Sequence, residues 1–132
     1  MDTPLSEISK QSSTQDTPNV LLSDVDTAGT FALVAITLPP YDPGAPPHTH
    51  PQHAEGCYVL AGTLALTLDQ RTIMLTQDTA VQMPAGVAHT YWNPTAGPTV
   101  VLLIYTPGAS AERAAALAAG RPAVDPPYLD TS

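Results

Sequence analysis

The sequence predicts an all-β domain, a sandwich or a barrel, and three observations carry that reading. Short runs of β-branched and apolar residues recur from Val20 to Thr106. Turn signals built on Gly, Pro, Asp and Asn separate them at near-regular spacing. Only one stretch combines helix caps with a helix-forming body. About eight or nine short strands of this kind need a second sheet to pack on, or a sheet closed on itself.

Residues 1–18 hold mostly Ser, Thr, Gln, Asp and Pro, too few apolar side chains to offset the entropy of ordering, and are expected to form a flexible arm. The expected barrel, residues 19–108, is written as VLLSDV, TFALVAITL, CYVL, TLALTL, TIMLT, AVQMP, HTYWN and TVVLLIYT. Between these runs stand Ala28-Gly29, the segment PPYDPGAPP, Ala61-Gly62, Asp69-Gln70, Gln77-Asp78, Pro84-Ala85-Gly86 and the stretch Pro94 to Pro98. Residues 109–132 close the chain. SAERAAALAAG predicts a helix, with Ser110 as N-cap, Glu112 in its first turn, an alanine-rich body, and Gly120 then Pro122 as stops. The remaining RPAVDPPYLDTS is proline-rich and reads as extended.

Composition excludes several functions. A chain of 132 residues buries roughly two-thirds of its unfolded surface and needs no staples. Cys57 is the single cysteine, so no internal disulfide forms; with no cationic start and apolar run in the first twenty residues, a reducing, cytoplasmic setting is expected. No stretch reaches the ~18 consecutive apolar residues of a membrane span. The net charge of −8 leaves only Lys10, Arg71, Arg113 and Arg121 as side-chain cations, with none clustered, which argues against nucleic acid. No Lys or Arg stands between Lys10 and Arg71 or between Arg71 and Arg113, so a strongly anionic ligand would find no side-chain cation in the core.

Against that background, PPHTHPQHAEGCYVLAG (residues 46–62) crowds three of the four histidines around the one glutamate between Glu7 and Glu112. His48 and His50, two apart, project from one face if they lie on a strand, about 6 to 7 Å apart along the backbone. Glu55 has the wrong parity for a continuous strand, but Pro51 and the PQHAE segment interrupt it and reset the register. His89, in MPAGVAHTYWN, can be brought opposite by antiparallel folding. Three neutral nitrogens and one carboxylate suit a single divalent ion, Fe, Mn, Ni, Cu or Zn, with one or two positions left open.

These residues resemble the cupins, whose double-stranded β-helix (jelly-roll) barrels carry two short motifs. The first is matched by His48, His50, Glu55 after four residues, and Gly62 after six more; the second by Pro84, Gly86, His89 and Asn93. Asp42 and Asp78 stand where both motifs begin with glycine; Asp tolerates the left-handed turn better than most residues, and Gly44 offers a shifted alternative. The resemblance spans about residues 20–108. It implies metal ligation by His48, His50, Glu55 and His89, and within the superfamily it is most similar to small, single-domain proteins related to quercetin dioxygenases.

Other residues divide between functional and structural readings. His53 is a rim histidine able to accept a proton, or a spare ligand. Cys57 shares parity with Glu55 and so can line the pocket, although a buried inert thiol is the ordinary case. Tyr91, two past His89, points the same way and can shape a substrate pocket, while Tyr58, Trp92 and Tyr105 read as core. Met74 and Met83 read as core filler, and Asn93 as the tie of the NPTAG turn.

The expected function is that of a metal-dependent, dioxygenase-like oxidoreductase acting on a neutral aromatic or enolisable small molecule, with Glu55 as general base. An oxygen-independent isomerase, decarboxylase or cyclase uses the same ion, and a non-catalytic metal or small-molecule binding module is the third possibility. The apolar runs VLL and TFALVAITL offer a homodimer interface.

Overall fold

The computed structural model describes residues 18–120; the expected N-terminal arm and the extended tail lie outside the described residues, apart from Pro18. Eight strands follow one another: β1 (Asn19–Leu22), β2 (Ala32–Leu38), β3 (Ala54–Ala61), β4 (Leu64–Leu68), β5 (Arg71–Leu75), β6 (Ala80–Met83), β7 (His89–Trp92) and β8 (Thr99–Thr106). Two helices, α1 (Asp24–Thr27) and α2 (Ala111–Ala118), complete the order. A five-stranded sheet, β1-β2-β8-β3-β6, faces a three-stranded sheet, β5-β4-β7, and every pairing is antiparallel.

The alternation of each strand decides which side chains meet between the sheets. In β8, Thr99, Val101, Leu103 and Tyr105 are buried while their neighbours face outward; in β3, Glu55, Cys57 and Val59 do the same. With Val34 and Ile36 of β2, Leu64 and Leu66 of β4, Met83 and Tyr91, the apolar ones, Cys57, Val59, Val101, Leu103 and Tyr105, form one core. Each fully buried Leu or Val contributes roughly 1.5–3 kcal/mol through removal of its surface from water. Helix α2 begins at Ser110, whose side chain accepts from Arg113 N as its N-cap, and buries Ala114, Ala116, Leu117 and Ala118.

Three local expectations are corrected. VLLSDV is not one strand: β1 stops at Leu22, and Ser23 opens α1 by donating its backbone N–H to the Asp26 carboxylate at 2.9 Å. The S-x-x-D capping pattern was present in the sequence and outweighs the β propensity of Val25, which is left 87% exposed. Met74, expected in the core, lies outward on the edge strand β5 at 57% exposure. Nor do His48 and His50 sit on a strand: in the connection from β2 to β3 only His48 makes a bridge, to His89.

That connection is held by polar ties. Asn93, 1% exposed, donates to the carbonyls of Leu38, Pro39 and Gly97 and accepts from both the N–H and the hydroxyl of Thr95, so it fixes its own turn and the exit of β2 together. Asp42 accepts Asn93 N at its carbonyl and Gly44 N at its side chain. Gly44, not Asp42, takes the left-handed conformation (φ +73°), and a Cβ there would stand 2.0 Å from the Tyr91 carbonyl oxygen. Asp78 does adopt the left-handed conformation in the second motif, with φ +67°.

Candidate metal centre

The four side chains arrive from three directions. His48 exchanges two backbone hydrogen bonds with His89, each 2.9 Å, which docks the loop on the first residue of β7. The His50 carbonyl accepts from Gly86 N at 3.1 Å, tying the first motif to the tight turn of the second. A turn at Pro51-Gln52 then reverses the phase, and β3 starts so that Glu55 points inward.

The imidazole rings of His48, His50 and His89 lie 4.6 to 5.1 Å apart, centroid to centroid. One ligand atom from each lies within 4.8 Å of the others. Glu55 Oε1 stands 3.1 Å from His89 Nε2 and 3.3 Å from His50 Nε2. Glu55 is fully buried, with His89 at 2% and His50 at 6% exposure.

Hydrogen bonding on the far side of two rings fixes what faces inward. His48 Nδ1 donates to the Pro46 carbonyl at 2.9 Å and His89 Nδ1 to the Val87 carbonyl at 3.1 Å. A neutral imidazole with its proton on Nδ1 presents a lone pair at Nε2. Among the described residues, the buried side-chain polar atoms without a hydrogen-bond partner are His48 Nε2, His50 Nε2, His89 Nε2 and Glu55 Oε1. Lone pairs gathered around a carboxylate oxygen in a buried site are repulsive unless a proton or a cation lies among them. This donor set fits a divalent transition-metal ion, with the two carbonyl contacts acting as the outer supports metal-bound histidines need.

Electrostatics agree. Burial pushes the Glu55 carboxyl up, but its contacts with His50 and His89 outweigh this and hold it below the usual carboxylate range. Burial lowers His89, yet Glu55 raises it above an ordinary histidine. Burial keeps His48 lower, against the opposing Pro46 carbonyl. Without an ion, the Glu55–His89 pair favours holding a proton where the lone pairs converge.

The remaining candidates separate. Tyr91 points inward, its hydroxyl donating to the Ala118 carbonyl at 3.2 Å. It lines a cavity of about 330 Å³ with Ile36, Leu38, the edge of His48, and Ala118 to Gly120. Cys57 faces inward but does not line that cavity; burial, then Glu55, pushes its thiol up to about 12. His53 is not on a rim. It is 5% exposed, its Nδ1 donates to the Pro107 carbonyl at 3.0 Å, and its Nε2 accepts from Arg113 Nε at 3.3 Å. Its place is between β8 and α2 because α2 supplies the cation that its Nε2 meets.

Sequence reasoning missed Tyr105. Its hydroxyl donates to Glu55 Oε2 at 3.1 Å, and the two residues are direct cross-strand partners on β8 and β3. Inward parity with Val101 and Leu103 was legible in TVVLLIYT, but the register that sets Tyr105 against Glu55 is not local in sequence.

The wider comparisons follow this geometry. A search of curated proteins finds no match. Among solved structures, the chain is similar to the Schizosaccharomyces pombe Cnp3 cupin domain (15% identity, TM-score 0.56), covering 59% of this chain and 53% of that one. It is also similar to a predicted oxalate decarboxylase from Thermotoga maritima, with 18% identity, TM-score 0.64, and 67% of this chain and 77% of that one covered. Similarity to the polyketide cyclase RemF from Streptomyces resistomycificus reaches 25% identity and TM-score 0.59, over 67% of this chain and 63% of the cyclase. The chain thus spans about half of the first of these and under two-thirds of the last. A family model described as "Cupin domain" matches residues 34–105, the stretch that runs from β2 through both histidine-bearing segments to Tyr105. With more than half of its length in that match and two antiparallel sheets around the histidine cluster, the chain belongs to the cupin family.

Proposed function

We propose that this protein is a metal-dependent enzyme acting on a neutral aromatic or enolisable small molecule, in its finer form a dioxygenase-like oxidoreductase. The observation that carries the reading is the convergence of four buried, unpartnered atoms from His48, His50, His89 and Glu55. A divalent ion held there supplies Lewis acidity and, with Fe, Mn, Ni or Cu, redox chemistry toward dioxygen.

The chain's own residues do the rest. His48 and His89 present Nε2 because carbonyls hold their Nδ1 protons. Glu55 carries the one negative charge of the cluster, and would serve as general base when it releases the ion or accepts a hydrogen bond from an enolisable substrate. Ile36, Leu38 and Tyr91 line the adjoining cavity together with Asp42, and among the described residues no Lys or Arg lines it, which favours a ligand that is not anionic. The test is elemental analysis of protein purified without added metal, followed by incubation with enediols, catechols and 1,3-diketones with and without oxygen. One ion per chain and oxygen-dependent product support the proposal; product formed equally without oxygen rejects the dioxygenase form.

The 25% identity to RemF favours a second reading, an oxygen-independent cyclisation or decarboxylation at the same site. The anaerobic arm of the same experiment decides between them.

We further propose a homodimer through the outer face of the five-stranded sheet. Leu33 and the exposed Ile104 are cross-strand partners there, Leu102 lies two residues along from Ile104, and β2 and β8 contain no charged residue. In a chain of net charge −8, a face free of carboxylates can meet its own copy without like-charge repulsion. Light scattering should give twice the chain mass, and Ile104→Asp should give the monomer; a monomeric wild type rejects this interface.

A further inference from the structure

We propose that Tyr105 is a positioning residue that limits Glu55 to one oxygen on the ion, and so sets how many coordination positions remain for substrate. The inference rests on the reading of His48, His50, Glu55 and His89 as the metal site, and goes beyond it by assigning the two carboxylate oxygens different tasks. Oε1 faces His50 and His89, at 3.3 and 3.1 Å. Oε2 is turned away and accepts the Tyr105 hydroxyl at 3.1 Å.

Several features make this bond selective. Tyr105 and Glu55 are both fully buried, so no water replaces the phenol if it is removed. They are paired directly across β3 and β8, which leaves the phenol little freedom to leave. The Tyr105 ring is also nearly perpendicular to those of His50 and His53, with centroids 6.0 and 6.4 Å away, so packing against both helps hold its orientation.

Coordination arithmetic gives the consequence. In a six-coordinate ion, three imidazole nitrogens and one carboxylate oxygen would fill four positions and leave two. A carboxylate using both oxygens would leave one. With two, a substrate can bind through a pair of adjacent oxygens, as an enediol, a catechol or a 1,3-dicarbonyl does. Tyr105 therefore selects for chelating substrates without touching them.

The test uses the full chain loaded with cobalt(II), titrated with tropolone, a two-oxygen chelator, and with azide, a one-atom ligand, and read by visible absorption. In Tyr105→Phe, Oε2 is released to the ion; the visible spectrum should change before any ligand is added, and tropolone affinity should fall about tenfold or more while azide affinity stays within about twofold. An unchanged spectrum and an unchanged tropolone-to-azide ratio would overturn the proposal, since a purely structural phenol would alter only thermal stability. Should the variant not fold, infrared difference spectra of wild-type protein with and without zinc, using carboxylate-labelled glutamate, give the answer directly. A wide splitting between the two carboxylate stretches marks one-oxygen ligation, and a narrow splitting overturns the proposal. If wild type takes up no cobalt or zinc at all, the metal-centre reading itself fails, a separate and recognisable result.

Discussion

His48 and His89 hold each other's backbone by two 2.9 Å hydrogen bonds while their rings stand 4.6 Å apart, centroid to centroid. The same contact thus closes the β2–β3 connection onto the smaller sheet and sets two donors side by side. Replacing either ring should spare the backbone bridge and remove the donor. His48→Ala and His89→Ala are expected to lose most of the bound metal while keeping the wild-type circular dichroism spectrum. Metal per chain by elemental analysis checks this.

Metal loading should also stabilise the fold, because an ion that binds only the folded chain adds RT ln(1 + [M]/Kd), about 2.7 kcal/mol at one hundred times Kd. Adding a chelator to the metal-loaded protein should lower the melting temperature by several degrees, and should leave that of His89→Ala unchanged.

Gly44→Ala should cost roughly 2–4 kcal/mol, since the new methyl meets the Tyr91 carbonyl oxygen and the left-handed backbone loses its glycine. Gly86→Ala, also at positive φ but with open space around it, should cost only about 1 kcal/mol. Urea unfolding of the two variants side by side measures the difference.

Cys57 should resist alkylation. With its thiol pushed up to about 12, only about one molecule in ten thousand is thiolate at pH 8. Iodoacetamide followed by mass spectrometry should leave the folded chain unmodified and label it fully in denaturant.

His53 predicts a pH effect with a definite sign. Burial, with Arg113 adding to it, holds this histidine below its ordinary value. Its contribution to stability is therefore complete above about pH 6.5 and is lost as pH falls through the lower folded value. Between pH 7.5 and 5.5, wild type should lose more stability than His53→Gln, measured by urea unfolding at each pH.

How much of this was legible beforehand depends on how local the signal is. The strands, the N-cap at Ser110 and the tie at Asn93 were legible because alternation, capping and Asx chemistry are written within a few residues. The association of His48, His50, Glu55 and His89 was legible only through motif spacing, since nothing local in HTH says what lies opposite. The placement of His53 and the task of Tyr105 were not legible. Each depends on a partner more than 45 residues away, Arg113 and Glu55 respectively, and so on strand register and helix docking. Met74 failed for a related reason: a strand's side chains choose their face only once its neighbours are known.

The four donors come from a loop, from β3 and from β7, so one small ion would add a central tie to parts of the chain otherwise joined by backbone hydrogen bonds such as the His48–His89 bridge and the His50–Gly86 contact. Cells starved of that ion should hold a looser, more protease-sensitive protein, and its abundance should follow metal supply even at constant synthesis. Pulse-chase half-lives with and without chelator in the growth medium would show this, and equal lifetimes would refute it.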